Sequence, residues 1–290
     1  MLQPAVQLVS TQTDRLYTRQ FVTIWVGNVC FVLANTMMTH YARWIEHLGG
    51  DVDQIGRIMG MGAIVSLLLR PWMGQWINRL GPRAVWGVGL LIFELGIVGN
   101  FLLTGLGPAI YVLRGLLAVG AAFVFGSSLA YISQSAPPNR RTEAIGILGA
   151  AGFMGMILGP YLADMLLAGQ VRTQGQFYQL FSIAVVVMAA PALSLFAIPK
   201  LERTKNEAQD GVGLKDFFRI AAAYWPGPIV AVVLAFGLCM TIPFVFLATF
   251  VDATLPHTDF NGVGVFFVGY AGWGLLLRVS TSHLPDRLGR

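Results

Sequence analysis

Eight stretches of this chain run for twenty or more residues almost without charge: roughly 21–41, 55–77, 83–104, 109–133, 144–168, 177–198, 227–251 and 262–284. At about 1.5 Å per residue, each can cross about 30 Å of hydrocarbon as a helix. An open strand would leave its backbone groups unpaired in lipid, so helices are the structure these runs predict. Composition agrees, since 290 residues that are 56% hydrophobic and 11% charged carry more apolar surface than one water-soluble domain buries. The expected fold class is an all-α polytopic membrane protein. The opening residues, MLQPAVQLVSTQTDRLYTRQ, lack the order of a cleavable signal, so the first helix is expected to direct its own insertion. Cys30 and Cys239 fall inside apolar helices and read as small buried thiols.

The basic residues orient these helices. Arg15, Arg19, Arg79, Arg83, Arg140, Arg141, Lys200, Arg203, Lys205, Lys215, Arg219, Arg287 and Arg290 precede the first helix or lie in alternate connections. Only Arg43, Arg57 and Arg172 lie on the opposite side. The positive-inside rule then predicts a cytoplasmic N-terminus, and the short loops, with no long glycosylatable outer segment, point to a multi-pass protein of the plasma (inner) membrane. The net charge of +5 follows from that topology, and no nucleic-acid partner is expected. The longest polar connection, PKLERTKNEAQDGVGLKDFFR, divides the chain into three parts. Residues 1–198 form a tail and a six-helix bundle, 199–219 a cytoplasmic linker, and 220–290 the first two helices of a second bundle.

The end of the second span comes back. GQWINRLGPR at 74–83 is echoed by SHLPDRLGR at 282–290, a shift of 208 residues that also sets Arg70 on Arg278. Two related bundles joined by a linker describe a transporter whose substrate site lies between its halves.

These residues resemble the major facilitator superfamily, whose loop between helices 2 and 3 carries G-x-L-x-D-R-x-G-R-R, with a weaker copy between helices 8 and 9. The first copy here keeps Gly74, Arg79, Gly81 and Arg83, with Asn78 in the acidic position and Pro82 in place of the first paired basic residue. The second keeps Asp286, Arg287, Gly289 and Arg290. The resemblance implies a cytoplasmic latch released as the halves rock. Asn78 carries no charge, so a purely topological role for Arg79 and Arg83 competes with it. Arg70 is expected to snorkel from the last turns of its helix. YVLRGLLAVGAAFVFGSS at 111–128 resembles the family's fourth-helix signature, with Arg114 as its arginine. Gly146, Gly155, Gly159 and Pro160 fit G-x8-G-x3-G-P, which the family associates with exchange of substrate for protons, although Ala163 and Asp164 replace two further glycines. Ala151, Gly155 and Gly159, spaced by four, read equally well as a close approach of two helices.

An ionisable group inside a span is a functional candidate by default. Glu94 lies about 16 Å above the start of the third helix and Arg114 about one turn away in depth, so an ion pair between them is geometrically allowed. Glu94 either takes up a proton during the cycle, burial favouring the neutral acid and a nearby arginine the anion, or is a permanently paired or lipid-adjacent acid. Asp164 is expected simply to meet water, and His40 and His47 to be lone surface histidines. Asn28, Asn35 and Thr39 share one face of the first helix, where they line a cavity or contact a neighbouring helix. On the seventh helix, Thr241 and Phe244 suggest part of an apolar, bendable cavity wall.

No metal-ligand cluster and no phosphate-binding loop is legible, so no cofactor is expected and a proton gradient is the expected energy source. The resemblance implies a secondary active transporter of small organic solutes, working by alternating access in proton-coupled efflux, and not an enzyme. A facilitator or symporter taking up sugars or carboxylates is the alternative, as is a non-functional truncated transporter fragment. Helices 3 to 6 take about 117 residues after the first loop copy; a similar length after Arg290 would give roughly 400 residues. Helices 9 to 12 are therefore expected to be missing, to be supplied by a C-terminal half or a dimer partner. The other partners expected are a small-molecule substrate and the lipid bilayer.

Overall fold

The computed structural model describes residues 16–137, 140–169, 171–199, 219, 227–254 and 262–281. Every regular element among them is helical. The long helices are α1 (Arg19–His47), α2 (Val52–Leu80), α3 (Pro82–Leu102), α4 (Pro108–Ser135), α5 (Arg141–Leu166) and α6 (Gln174–Ala197), followed by α7 (Pro228–Thr254) and α8 (Gly262–Thr281). Short connections alternate their directions, so the bundle has a near end, where α1 begins, and a far end, where α1 stops. Seven of these helices are long and apolar enough to span a membrane, which makes this a multi-pass membrane protein. The eighth is apolar over the shorter run Gly262–Arg278. The last residues of its expected span, 282–284, lie outside the described residues.

Local chemistry sets the helix starts. The Asp51 carboxylate accepts from the Gln54 amide and the Gln54 side chain returns a bond to the Asp51 amide, closing a capping box on α2. Thr173 and Gln176 do the same for α6. Two boundaries differ from expectation for physical reasons. α1 does not stop at residue 41; a 3-10 turn at Met38–His40 hands over to a short helix, Tyr41–His47, carrying charged side chains into the packed far end. The expected loop between the second and third spans is almost absent, because α2 runs on to Leu80 and only Gly81 separates it from α3. Gly81 adopts φ 85°, open to glycine at little cost, and Pro82 then supplies a preset first helical residue.

Packing is strongest between α3 and α4, α5 and α8, α1 and α5, α1 and α6, and α2 and α4. Small residues make the closest approaches. A Cβ on Gly120 of α4 would press on the Phe93 amide and the Gly89 carbonyl of α3, so glycine there sets the helix separation. Between α1 and α5, a Cβ on Gly155 would strike the Leu33 amide, and one on Gly159 the Leu33 carbonyl. Thr36 fastens the same seam by donating to the Gly155 carbonyl at 2.9 Å. The core is largely apolar and aromatic: Phe31, Trp44, Trp86, Phe93, Phe177 and Phe181 are all fully buried. α7 and α8 add a satellite cluster in which Phe244 and Phe267 pack at 4.7 Å beside Met156 of α5. Much of α7 stays exposed and apolar, as at Val232, Leu234, Phe236 and Leu238.

Candidate functional site

The far end of the bundle holds a buried charge cluster built by four helices and one connection. The α1–α5 glycine seam brings α1 so close that, in the next turns, Arg43 reaches Asp164 and His40 reaches the Pro160 carbonyl. Arg43 is 5% exposed and uses its whole guanidinium. Nη1 donates to Asp164 Oδ1 at 2.9 Å and to His40 Nδ1 at 2.8 Å, while Nε and Nη2 donate to the two Asp252 oxygens at 2.9 and 2.7 Å. Arg172, in the connection between α5 and α6, grips the same Asp252 carboxylate with Nη1 and Nη2 at 2.7 and 2.9 Å. The Gly264 amide at the start of α8 donates to Asp164 Oδ2 at 2.5 Å. Beside the cluster, Thr249 of α7 donates to Glu46 of α1 at 2.7 Å.

With His40 neutral, two guanidiniums and two carboxylates balance. Each carboxylate oxygen is hydrogen-bonded, which is the condition under which a buried ion pair is tolerable. The cluster also does what no apolar contact could: it ties α1, α5 and the α5–α6 connection to α7 and α8 through bonds that water or a proton can replace.

These residues correct the sequence reading. Asp164 does not meet water; it is 1% exposed, and so is His40, which is no lone surface histidine. The signal was present in the sequence. The far side has few basic residues, and Arg43 on α1 and Arg172 in the α5–α6 connection lie toward the same end as Asp164 and Asp252, but their pairing depends on which helices are neighbours.

Glu94 and Arg114 do not form the ion pair that depth allowed. Arg114 lies among α1, α2 and α4, its guanidinium 5.6 Å from the centre of the Tyr41 ring and its stem beside Gly62, with Nε buried and unpartnered. Glu94 points the other way, into an apolar groove of about 920 Å³ between α3 and α6, lined also by Arg83, Leu91, Met188 and Phe196. Its Oε2 is buried there without a hydrogen bond.

Of the other sequence candidates, Asn28 and Thr39 are buried, Thr39 bonding back to the Thr36 carbonyl and Asn28 leaving Oδ1 unpartnered, while Asn35 is half-buried. Thr241 is exposed, and Phe244 belongs to the satellite cluster. At the near end Arg70, Gly74, Asn78 and Arg79 are exposed and Arg83 is half-buried. Arg278, their counterpart at Arg70, donates from Nε to the Gly146 carbonyl at 3.1 Å and lies against Gly149, joining α8 to the start of α5. Asp286, Arg287, Gly289 and Arg290 lie outside the described residues, as does the linker at 199–219 apart from Pro199 and Arg219.

Apolar helices of membrane-crossing length and a charge cluster joining the first six helices to the next two define a polytopic membrane protein. The family model for the Major Facilitator Superfamily matches residues 24–290, and the chain belongs to that family. Similar proteins include Multidrug resistance protein 1 of Bacillus subtilis (strain 168), 29% identical over 238 residues, covering 80% of this chain and 57% of that protein. Multidrug resistance protein 2 of the same strain is 29% identical over 201 residues, covering 67% and 48%. The class E tetracycline resistance protein of Escherichia coli is 30% identical over 166 residues, covering 57% and 38%. The chain spans about half the length of the first two of these relatives.

Proposed function

We propose that this chain belongs to a secondary active transporter that exports small organic solutes by alternating access, driven by the proton gradient across a plasma membrane. The observation that carries the reading is the far-end cluster of Arg43, Asp164, Arg172 and Asp252, which closes one end of the bundle with bonds between its first six helices and α7. A permanently closed end would be made more stably by apolar residues, whereas an end that must open to water is served by charges that water can solvate. In this reading the basic near end faces the cytoplasm, with the N-terminus, and the cluster shuts the outer face. The names of the relatives support export of drug-like molecules, tetracycline among them. Glu94 and Arg114, each with one buried charged-group atom lacking a partner, are the proton-coupling candidates within the spans, Glu94 as the group that binds the proton and Arg114 as a cation that stays charged.

The test is flux in inside-out membrane vesicles containing the full chain, with tetracycline and ethidium as probes. Accumulation that starts on energisation and collapses with a protonophore is expected. Equal accumulation in vesicles lacking the chain would refute export of these probes.

A further inference from the structure

His40 sits in the far-end cluster in a way that leaves no room for a second proton. Its Nδ1 accepts from the Arg43 guanidinium at 2.8 Å, so that nitrogen must be bare. Its Nε2 lies 3.3 Å from the Pro160 carbonyl and 3.5 Å from Asp164 Oδ1, both acceptors, so the single ring proton belongs there. An imidazolium would turn Nδ1–H against Arg43 and set two cations in contact in a buried site.

Charged groups reach His40 from each element packed around it. α1 supplies Arg43, α5 supplies Asp164, and α7 supplies Asp252 through Arg43. The α5–α6 connection supplies Arg172 through Asp252, and α8 brings the Gly264 amide to Asp164.

We propose that His40 is a proton-binding site of the far-end closure, empty when the closure is made and filled from the outer side when it opens. Sidedness here rests on the transporter reading above. The closed arrangement holds His40 neutral by geometry; once α1 and α7 part, Arg43 loses Asp252, its guanidinium is free to swing off Nδ1 into water, and the ring can take a second proton. A proton that binds the open form and not the closed one shifts the population toward open as pH falls. Imidazole in water titrates near pH 6.5, so between pH 7.5 and pH 5.0 the open-to-closed ratio should rise about 30-fold. Two carboxylates face the same cluster, Asp252 held by two guanidiniums and Asp164 by Arg43 and an amide, so the test must separate their protonation from that of His40.

The measurement is the distance between spin labels at Val52→Cys, at the exposed start of α2, and Thr254→Cys, at the exposed end of α7. The full chain carries Cys30→Ala and Cys239→Ala and sits in lipid nanodiscs. The ratio of long- to short-distance populations should rise about 30-fold between pH 7.5 and 5.0 with His40 present, and less than about threefold with His40→Gln. The glutamine amide can accept from Arg43 and donate to Pro160 without titrating. An equal response in His40→Gln would overturn the assignment by giving the proton to a carboxylate. No response in the protein that keeps His40 would overturn it whether or not the variant folds. Distances need no substrate, so absence of tetracycline flux with an intact pH response would sink only the transport reading. Flux with pH-insensitive distances would sink only the assignment to His40.

Discussion

Asp252→Asn is the most informative single substitution at the far end. The asparagine keeps the shape of the carboxylate but removes its charge and turns an NH₂ toward one of the two guanidiniums. Four charge-assisted bonds, two from Arg43 and two from Arg172, are lost or weakened. Removing one partner of a buried ion pair costs about 3–5 kcal/mol. The Asp252 and Arg172 side chains are 25% and 21% exposed, and Arg43 keeps Asp164, so water and a second carboxylate recover part of that cost. About 2–3 kcal/mol should remain, falling on the closed form alone, which is roughly a 30- to 150-fold gain in the open-to-closed ratio. Thr249→Cys, at the α7–α1 contact, provides the assay, because a membrane-impermeant maleimide applied from the outside reaches that thiol only when the far end is open. The labelling rate with Asp252→Asn should rise by the same factor at neutral pH. A rise of less than about threefold, in protein that keeps its melting temperature, would show that these bonds do not hold the end shut.

Gly159→Leu should force α1 from α5, costing about 1–3 kcal/mol and lowering the melting temperature in detergent, because its Cβ would meet backbone of α1. Gly146→Ala, on the same helix with open space around its Cβ, should leave stability unchanged or slightly raised; equal losses for both would refute the close-approach account. Asn100→Leu should cost about 2 kcal/mol, since Asn100 accepts from Tyr41 and Trp44 and donates to the Gly96 carbonyl in a fully buried site, and tryptophan-detected melting would reveal it. Glu94→Gln should abolish the dependence of vesicle flux on the proton gradient; flux that keeps this dependence would remove Glu94 from the coupling scheme and leave it a residue of the α3–α6 groove.

Long-range order was legible wherever a single helix carried the information. The apolar runs gave the spans because hydrocarbon thickness is a local ruler, and the minority of basic residues at the far end was visible by counting. The spacing of Ala151, Gly155 and Gly159 also showed that one face of α5 is narrow, and the structure puts α1 on the Gly155 and Gly159 part of it. Glu94 and Arg114 mark the limit of such reasoning. Depth along a helix follows from 1.5 Å per residue, but rotation about the axis and the identity of the neighbour do not, and these two residues at similar depth face opposite sides.

The sequence by itself determined that this chain lives in a membrane, because that property is set by local composition against a solvent of fixed thickness, and the repeat at a shift of 208 residues is read directly from it. Only the tertiary structure decided that Asp164 and His40 are buried and that Arg43 and Arg172 meet on Asp252. Those contacts join residues as far as 209 positions apart, and they exist because glycines on α5 let α1 come within hydrogen-bonding reach of it, while α7 and α8 close over the same end.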